Sequence, residues 1–306
     1  MLSGQKILIT GPAGNIGFAL AKTLAKNNDV WGAARFSNAE RRQALEEAGV
    51  KTREIDLYEA EFSALPRDFD YLLHIAVAHD PVYDRAFRIN GEGTGFLMEH
   101  CRSVKAALIM STCTTYRPNP DPFYAYKEED GLGDQMTYVP TYSVSKISEE
   151  VVARYCARAY NIPTVIARMN AAYGPNGGLE CSHADAILAG KPVVTRHEDC
   201  AYSPIHDDDI ADQLEAMLSI AGVPAAICNW GGDEVVTVRE WTAYIGTLLG
   251  LPVDFRVQPI PGSPGGSVAG NTKRLSVTGP CKVHWKDGFR RMLEERYPDR
   301  ALEVPA

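Results

Sequence analysis

Short apolar runs alternate with longer stretches of mixed polarity along the first half of the chain. Lys6–Thr10, Val30–Ala34, Thr52–Ile55, Tyr71–Ile75, Ala107–Ser111 and Thr164–Arg168 are such runs, rich in β-branched residues, and read as buried parallel strands. Between them apolar residues recur at helical spacing: Ile16, Ala19, Leu20 and Leu24, then Ala39–Ala48, Gly93–Cys101 and Ser143–Tyr160. Alternation of strand and helix predicts an α/β fold, a doubly wound parallel sheet with helices on both faces. After Arg168 the pattern loosens. Glycine and proline cluster at Tyr173–Gly178 and Pro259–Gly266, as in loops that shape a site. Val238–Gly250 and Lys286–Tyr297 read as amphipathic helices. The expected division is residues 1–172 as the sheet domain, rejoined by 202–230, with 173–201 and 231–306 forming a smaller α+β portion.

Composition narrows the classes. At 306 residues the chain can bury a full core. Its 31 basic against 39 acidic residues argue against nucleic acid or an anionic membrane as partner. No apolar run is long enough to span a bilayer, and the N-terminus enters the first strand without a signal pattern. The seven cysteines lie scattered without a Cys-x-x-Cys pair, which speaks against a disulfide framework or a zinc site. A cytoplasmic protein without metal is expected.

Directly after the first run comes Gly11-Pro-Ala-Gly14-Asn15-Ile16-Gly17, which opens the first helix. Strand, glycine turn and helix together aim free amides and a helix dipole at a pyrophosphate. Gly11 suits the tight turn, Gly14 a close backbone approach to phosphate, and Gly17 close helix–strand packing. The spacing is one residue longer than the usual Rossmann fingerprint. It points to a bound dinucleotide.

Tyr142-Ser-Val-Ser-Lys146 places a phenol and an ammonium four residues apart, on one face of a helix. A neighbouring cation favours the phenolate, and a phenol so poised can exchange a proton with a carbonyl or alcohol oxygen. The spacing alone is common; behind a glycine loop, with hydroxyl residues Ser111 and Thr112 upstream, it becomes specific.

In this order the motifs resemble the extended short-chain dehydrogenases/reductases, the superfamily of NAD(P)-dependent epimerases and dehydratases, over nearly the whole length. Gly11, Gly14, Asn15, Ile16 and Gly17 fit its cofactor loop, Asp56-Leu57 its adenine-contacting pair, and His74-Ile-Ala76-Val its His-Leu-Ala-Ala segment. Asn90 with Gly93-Thr94 fits Asn-x-x-Gly-Thr with one extra residue. Tyr173-Gly-Pro175, His206-Asp-Asp-Asp209 and Asn229-Trp-Gly-Gly232 match later landmarks. The resemblance implies that Thr112 holds the substrate oxygen, with Ser111 as the alternative one residue earlier. Tyr142 is then the general acid or base, and Lys146 binds the nicotinamide ribose. A homodimer through the helices near Gly93–Cys101 and Ser143–Tyr160 is also implied.

Two questions concern this chain in particular. NAD-binding members commonly end the second strand with an acid that holds the ribose hydroxyls; here Ala34 is followed by Arg35 and Ser37. Guanidinium suits a 2′-phosphate, so NADP is preferred to NAD. Nucleotide-sugar members usually carry Arg-x-x-Asn-x-Tyr-Gly-Pro, whereas Ala171 holds the asparagine place here and Asn170 comes one residue early. An arginine expected four residues before His206 is replaced by Tyr202, although Arg196 precedes it. Dehydratases follow the threonine with Asp-Glu; here Cys113-Thr114 follows. The expectation is an NADP-dependent oxidoreductase interconverting an alcohol and a carbonyl of a small molecule. A nucleotide-sugar 4-epimerase is the alternative, and a nucleotide-sensing regulator a third. Thr114, Asn170 and Tyr202 are candidate substrate contacts, while His79 and Asp80 either line the site or sit in a solvated loop. His183 and Cys181 are expected in a variable loop. Asp208 or Asp209 is expected to start the helix through Ile210, Leu214, Met217 and Leu218.

Overall fold

The computed structural model describes residues 2–133 and 140–303. Its centre is a parallel sheet of β1 (Lys6–Thr10), β2 (Asp29–Ala34), β3 (Lys51–Glu54), β4 (Tyr71–His74), β5 (Ala106–Thr112), β6 (Thr164–Met169) and β7 (Ala226–Trp230). The strand order is β7-β6-β5-β4-β1-β2-β3. Chain direction across the sheet reverses between β1 and β4, and a crevice opens there beyond the carboxyl ends of the strands.

Burial explains which strands were easy to see. Every residue of β5 and β6 is buried, so both read as continuous apolar runs. β3 (Lys-Thr-Arg-Glu) is an edge strand and buries only Thr52.

Helices α1 (Asn15–Ala25), α2 (Ala39–Glu47), α3 (Gly93–His100) and α4 (Tyr142–Ala159) cover the sheet. A π-helical turn, Phe87–Glu92, leads into α3. α2 starts where Asn38 Oδ1 accepts from Arg41 N (2.9 Å) and buries only Leu45, so it presents a mostly solvated face. The two sides of the sheet are sealed by separate apolar clusters, one around Ile7, Leu20, Leu24 and Trp230, the other around Leu8, Leu72, Leu97 and Ile166.

Beyond β6 lie α5 (Leu179–Leu188), α6 (Asp207–Ser219), α7 (Val238–Leu249) and α8 (Trp285–Arg296). α5, α7 and α8 enclose a third core in which Trp241, Tyr173 and Phe289 meet edge to face. α7 is bounded as its sequence dictates. Thr237 and Glu240 close a capping box, and Gly250 ends the helix at φ 64°. At α6 the structure corrects the expected start: His206 Nδ1, and neither aspartate, accepts the capping bond from Asp208 N (3.1 Å). Asp208 and Asp209 fall in the first turn, where a negative charge meets the positive end of the helix dipole. Asp209 also accepts from the backbone amides of Lys282 (2.7 Å) and Val283 (3.2 Å).

Candidate active site

The glycine loop is shaped as its spacing requires. Gly11 has φ 68°, and a Cβ there would stand 2.8 Å from Ala76 Cα. At Gly17 a Cβ would collide with Gly11 O. Only glycine keeps β1, the loop and α1 this close. Gly14 is the N-cap of α1 and makes no side-chain capping bond, so the loop offers amides and the positive helix end to an anion. The loop is held from above. In the amide orientation that satisfies both partners, Asn15 donates to Asn176 O (2.8 Å) and accepts from Gly178 N (3.1 Å). Arg41 also ties Ala13 O (2.7 Å) to Asn176 O (2.5 Å).

A cleft of about 800 Å³ runs from this loop past Arg35, Asp56, Leu57 and Ala76 to Thr112, Tyr142 and Lys146. Its far side is lined by Asn170, Ala171, Ala172, Leu179 and Glu180. Arg35 is exposed just beyond β2. Gly11, Gly14, Asn15, Ile16 and Gly17 all face this one cleft. Glycine cradle, free helix end and residues beyond β2 and β3 together suit a dinucleotide, with its pyrophosphate at the loop.

At the chemical end, Thr112 is the last residue of β5. Its hydroxyl caps the following turn by accepting from Thr114 N (3.1 Å) and also lines the cleft. Ser111 is committed elsewhere, since its Oγ donates to Glu150 Oε1 (2.5 Å). Thr112 Oγ1 donates in turn to Thr114 Oγ1 (3.1 Å), a longer and only part-buried bond compared with that of Ser111. Tyr142 begins α4, half-buried, with its ring stacked on His79 at 4.7 Å between centroids. One turn on, Lys146 is buried; its Nζ donates to Met110 O (2.8 Å) and pairs with Glu149. Burial, then the charge of Lys146, pushes the His79 imidazole below its ordinary value, so near neutral pH the ring on the phenol is uncharged.

The model of the NAD dependent epimerase/dehydratase family matches residues 7–222. The chain belongs to that family. Among curated members it is 24% identical to a dTDP-4-dehydro-6-deoxy-D-allose reductase of Streptomyces sp., over 84% of this chain and 85% of the reductase. It is 25% identical to a trifunctional UDP-glucose 4,6-dehydratase/3,5-epimerase/reductase of Arabidopsis thaliana, over 75% of this chain but only 36% of that protein. The chain therefore spans about a third of the plant enzyme's length. A solved structure of UDP-glucuronic acid 4-epimerase from Bacillus cereus, with UDP-glucuronic acid and NAD, has the same fold at 21% identity. Its TM-score is 0.84, covering 95% of this chain and 99% of that one.

Several family positions do something other than expected. Asn90, expected at the cofactor, is buried under the cleft floor. Its amide accepts from Ala78 N (2.8 Å) and donates to Ala78 O (3.0 Å) and Ser145 Oγ (2.9 Å). Asn90 therefore fixes the Ala76–Ala78 wall against α4. Asn170 lines the cleft, but its amide donates to Ser267 O (2.7 Å) and accepts from Ser203 N (2.9 Å). Thr114 and Tyr202 face a separate small cavity beside Tyr116 and Tyr126, with Arg196 donating to Tyr202 Oη (3.2 Å). His183 and Cys181 are not in a loop; both sit on α5. His183 Nδ1 accepts from Trp241 Nε1 (2.9 Å), and buried Cys181 donates to Gly174 O (3.1 Å). Two site residues went unnoticed in the sequence, Glu149 and Glu180. A glutamate three residues after a lysine looks like an ordinary helix-surface pair, and only burial distinguishes it.

Proposed function

We propose that the protein is an NADP-dependent oxidoreductase that interconverts an alcohol and a carbonyl on a small molecule lacking a nucleotide diphosphate. Support for the chemistry comes from a single cleft holding the glycine loop at one end and Thr112, Tyr142 and Lys146 at the other. NADP, when bound, supplies or accepts the hydride. Thr112 holds the substrate oxygen near Tyr142. The Tyr142 hydroxyl gives its proton to that oxygen on reduction and recovers it on oxidation. Lys146 keeps positive charge one turn from the phenol and is the residue that would hold the ribose hydroxyls of a bound cofactor.

The charge inventory carries the substrate reading. Among the described residues, Arg35 and Lys146 are the cations lining the cleft. Arg35 follows β2, where a 2′-phosphate would lie, and Lys146 belongs to the proton site. On the far wall stands Glu180, whose buried carboxyl is raised to about 8 and offers no positive charge to a diphosphate. The family name and the epimerase structure keep nucleotide-sugar epimerisation as the second reading; the reductase among the relatives, itself named for a dTDP-sugar, supports net reduction and not the substrate class. A homodimer through α3 and α4 belongs to the same proposal, because Phe96, Val151 and Tyr155 leave large apolar side chains exposed there.

One assay tests this reading. NADPH and NADH consumption is followed with a panel of aldehydes and ketones, for wild type and Arg35→Ala. The expected result is net NADPH consumption, with the NADPH dissociation constant raised about tenfold or more in Arg35→Ala and that for NADH little changed. Tighter NADH binding by wild type would overturn the cofactor assignment. Interconversion of a nucleotide sugar without net change at the nicotinamide band would overturn the reaction.

A further inference from the structure

We propose that Glu149 is a positioning residue that acts through Lys146, supplying the counter-charge that keeps the ammonium ionised and aimed at the β5 edge of the cleft. The inference rests on the proposed role of Lys146 and adds a residue to it. Glu149 lies three positions after Lys146 on α4, is wholly buried, and is ion-paired with Lys146. The lysine is only 2% exposed, and its other described bond is to the neutral carbonyl of Met110. A buried ammonium needs an anion, or it gives up its proton.

Among the described residues, the groups facing Glu149 leave it no other cation. His74 of β4 is nearest, with Nε2 3.4 Å from Glu149 Oε1. Its hydrogen bonds assign it as a neutral ring: Nδ1 lies 2.7 Å from Thr10 Oγ1, and Nε2 lies 2.8 Å from Thr94 Oγ1. Thr94 spends its proton on Asn90 O (2.6 Å), so Nε2 must carry the hydrogen. Burial, then the charge of Lys146, pushes this imidazole down to about 3. His74 therefore adds a dipole and no charge. The adjacent Glu150 has its own partner, since Arg168 of β6 grips it through Nε (2.9 Å) and Nη2 (2.7 Å). Two neighbouring glutamates thus serve two different cations, Glu150 the structural arginine and Glu149 the lysine of the proton site.

The Glu149 carboxyl itself is pushed up by burial, to about 7, with Lys146 pulling the other way. The salt pair is therefore within reach of titration at ordinary pH. Through Thr10, which also accepts from the amides of Ile75 (3.2 Å) and Ala76 (3.3 Å), the same chain of contacts reaches the cofactor wall.

The test compares wild type, Glu149→Gln and Glu149→Asp by three readouts: the NADPH dissociation constant by fluorescence titration, the pH profile of kcat/KM for alcohol oxidation, and thermal unfolding. Glu149→Gln is expected to weaken NADPH binding about tenfold. It should also move the acid limb of the oxidation profile to higher pH by about one unit or more. Glu149→Asp, which keeps the charge, should recover most of both. A merely structural glutamate would lower the melting temperature and leave the binding constant and limb in place. That outcome in a folded variant, or a limb moving to lower pH, overturns the proposal; if Gln fails to fold, the aspartate variant must still show an intermediate binding constant. Absence of carbonyl turnover in wild type would sink the reaction assignment instead. The NADPH binding constants would then decide the role of Glu149 alone.

Discussion

A carboxyl sealed from water makes folding depend on pH, and Glu180 is such a group. Both of its oxygens are buried without a hydrogen-bond partner. Burial first, and the charge of nearby Asp207, raise its carboxyl from 4.5 to about 8. Because the folded value is raised, the native state holds this proton more tightly than the unfolded chain between pH 4.5 and about 8. Its contribution is therefore full below 4.5 and is lost as pH rises through 8. Thermal unfolding of wild type and Glu180→Gln should accordingly give similar melting temperatures near pH 4.5. Above neutral pH the variant should become the more stable, by a few kcal/mol at most, roughly. A gap that stays constant across this range would contradict the burial argument. That Tyr142 and Lys146 stand one turn apart on one helix was legible in the chain, because their spacing is itself the geometry. The acids Glu149 and Glu180 were not, since nothing local marks an acidic residue that tertiary packing will bury.

Elements were legible where burial is uniform and obscure where it is split. β1, β5 and β6 are apolar almost throughout and were found within a residue or so of their ends. β7 (Ala-Ile-Cys-Asn-Trp) was known only as the landmark Asn-Trp-Gly-Gly. Its polar Asn229 is buried and bonded to Tyr116 Oη (2.6 Å) and Tyr126 O (2.7 Å). α5 was missed for a related reason. Its sequence, Leu-Glu-Cys-Ser-His-Ala-Asp-Ala-Ile-Leu, has a weak apolar stripe behind two glycines. It becomes a helix because Ala184, Ile187 and Cys181 pack into the third core. The α6 start shows local chemistry misjudged: three aspartates in a row suggested a carboxylate cap, but the preceding histidine ring reaches the Asp208 amide first.

Over the whole molecule, the sheet domain presents the cofactor cleft on one edge and an apolar helical face elsewhere. Phe96 on α3 is 51% exposed, and Tyr155 on α4 is 67% exposed, which is costly for side chains of this size. Sedimentation velocity at micromolar concentration should show a dimer, and Phe96→Glu with Tyr155→Glu should convert it to monomer. A wild-type monomer would contradict this assignment. The proposed chemistry depends on a different part of the molecule, the phenol at the start of α4. Its most direct test is Tyr142→Phe, measured for both kcat of NADPH-dependent carbonyl reduction and the NADPH dissociation constant. A loss in kcat of about 10²-fold or more is expected, with NADPH binding changed by no more than about threefold. A phenylalanine variant that reduces the carbonyl at the wild-type rate would contradict it.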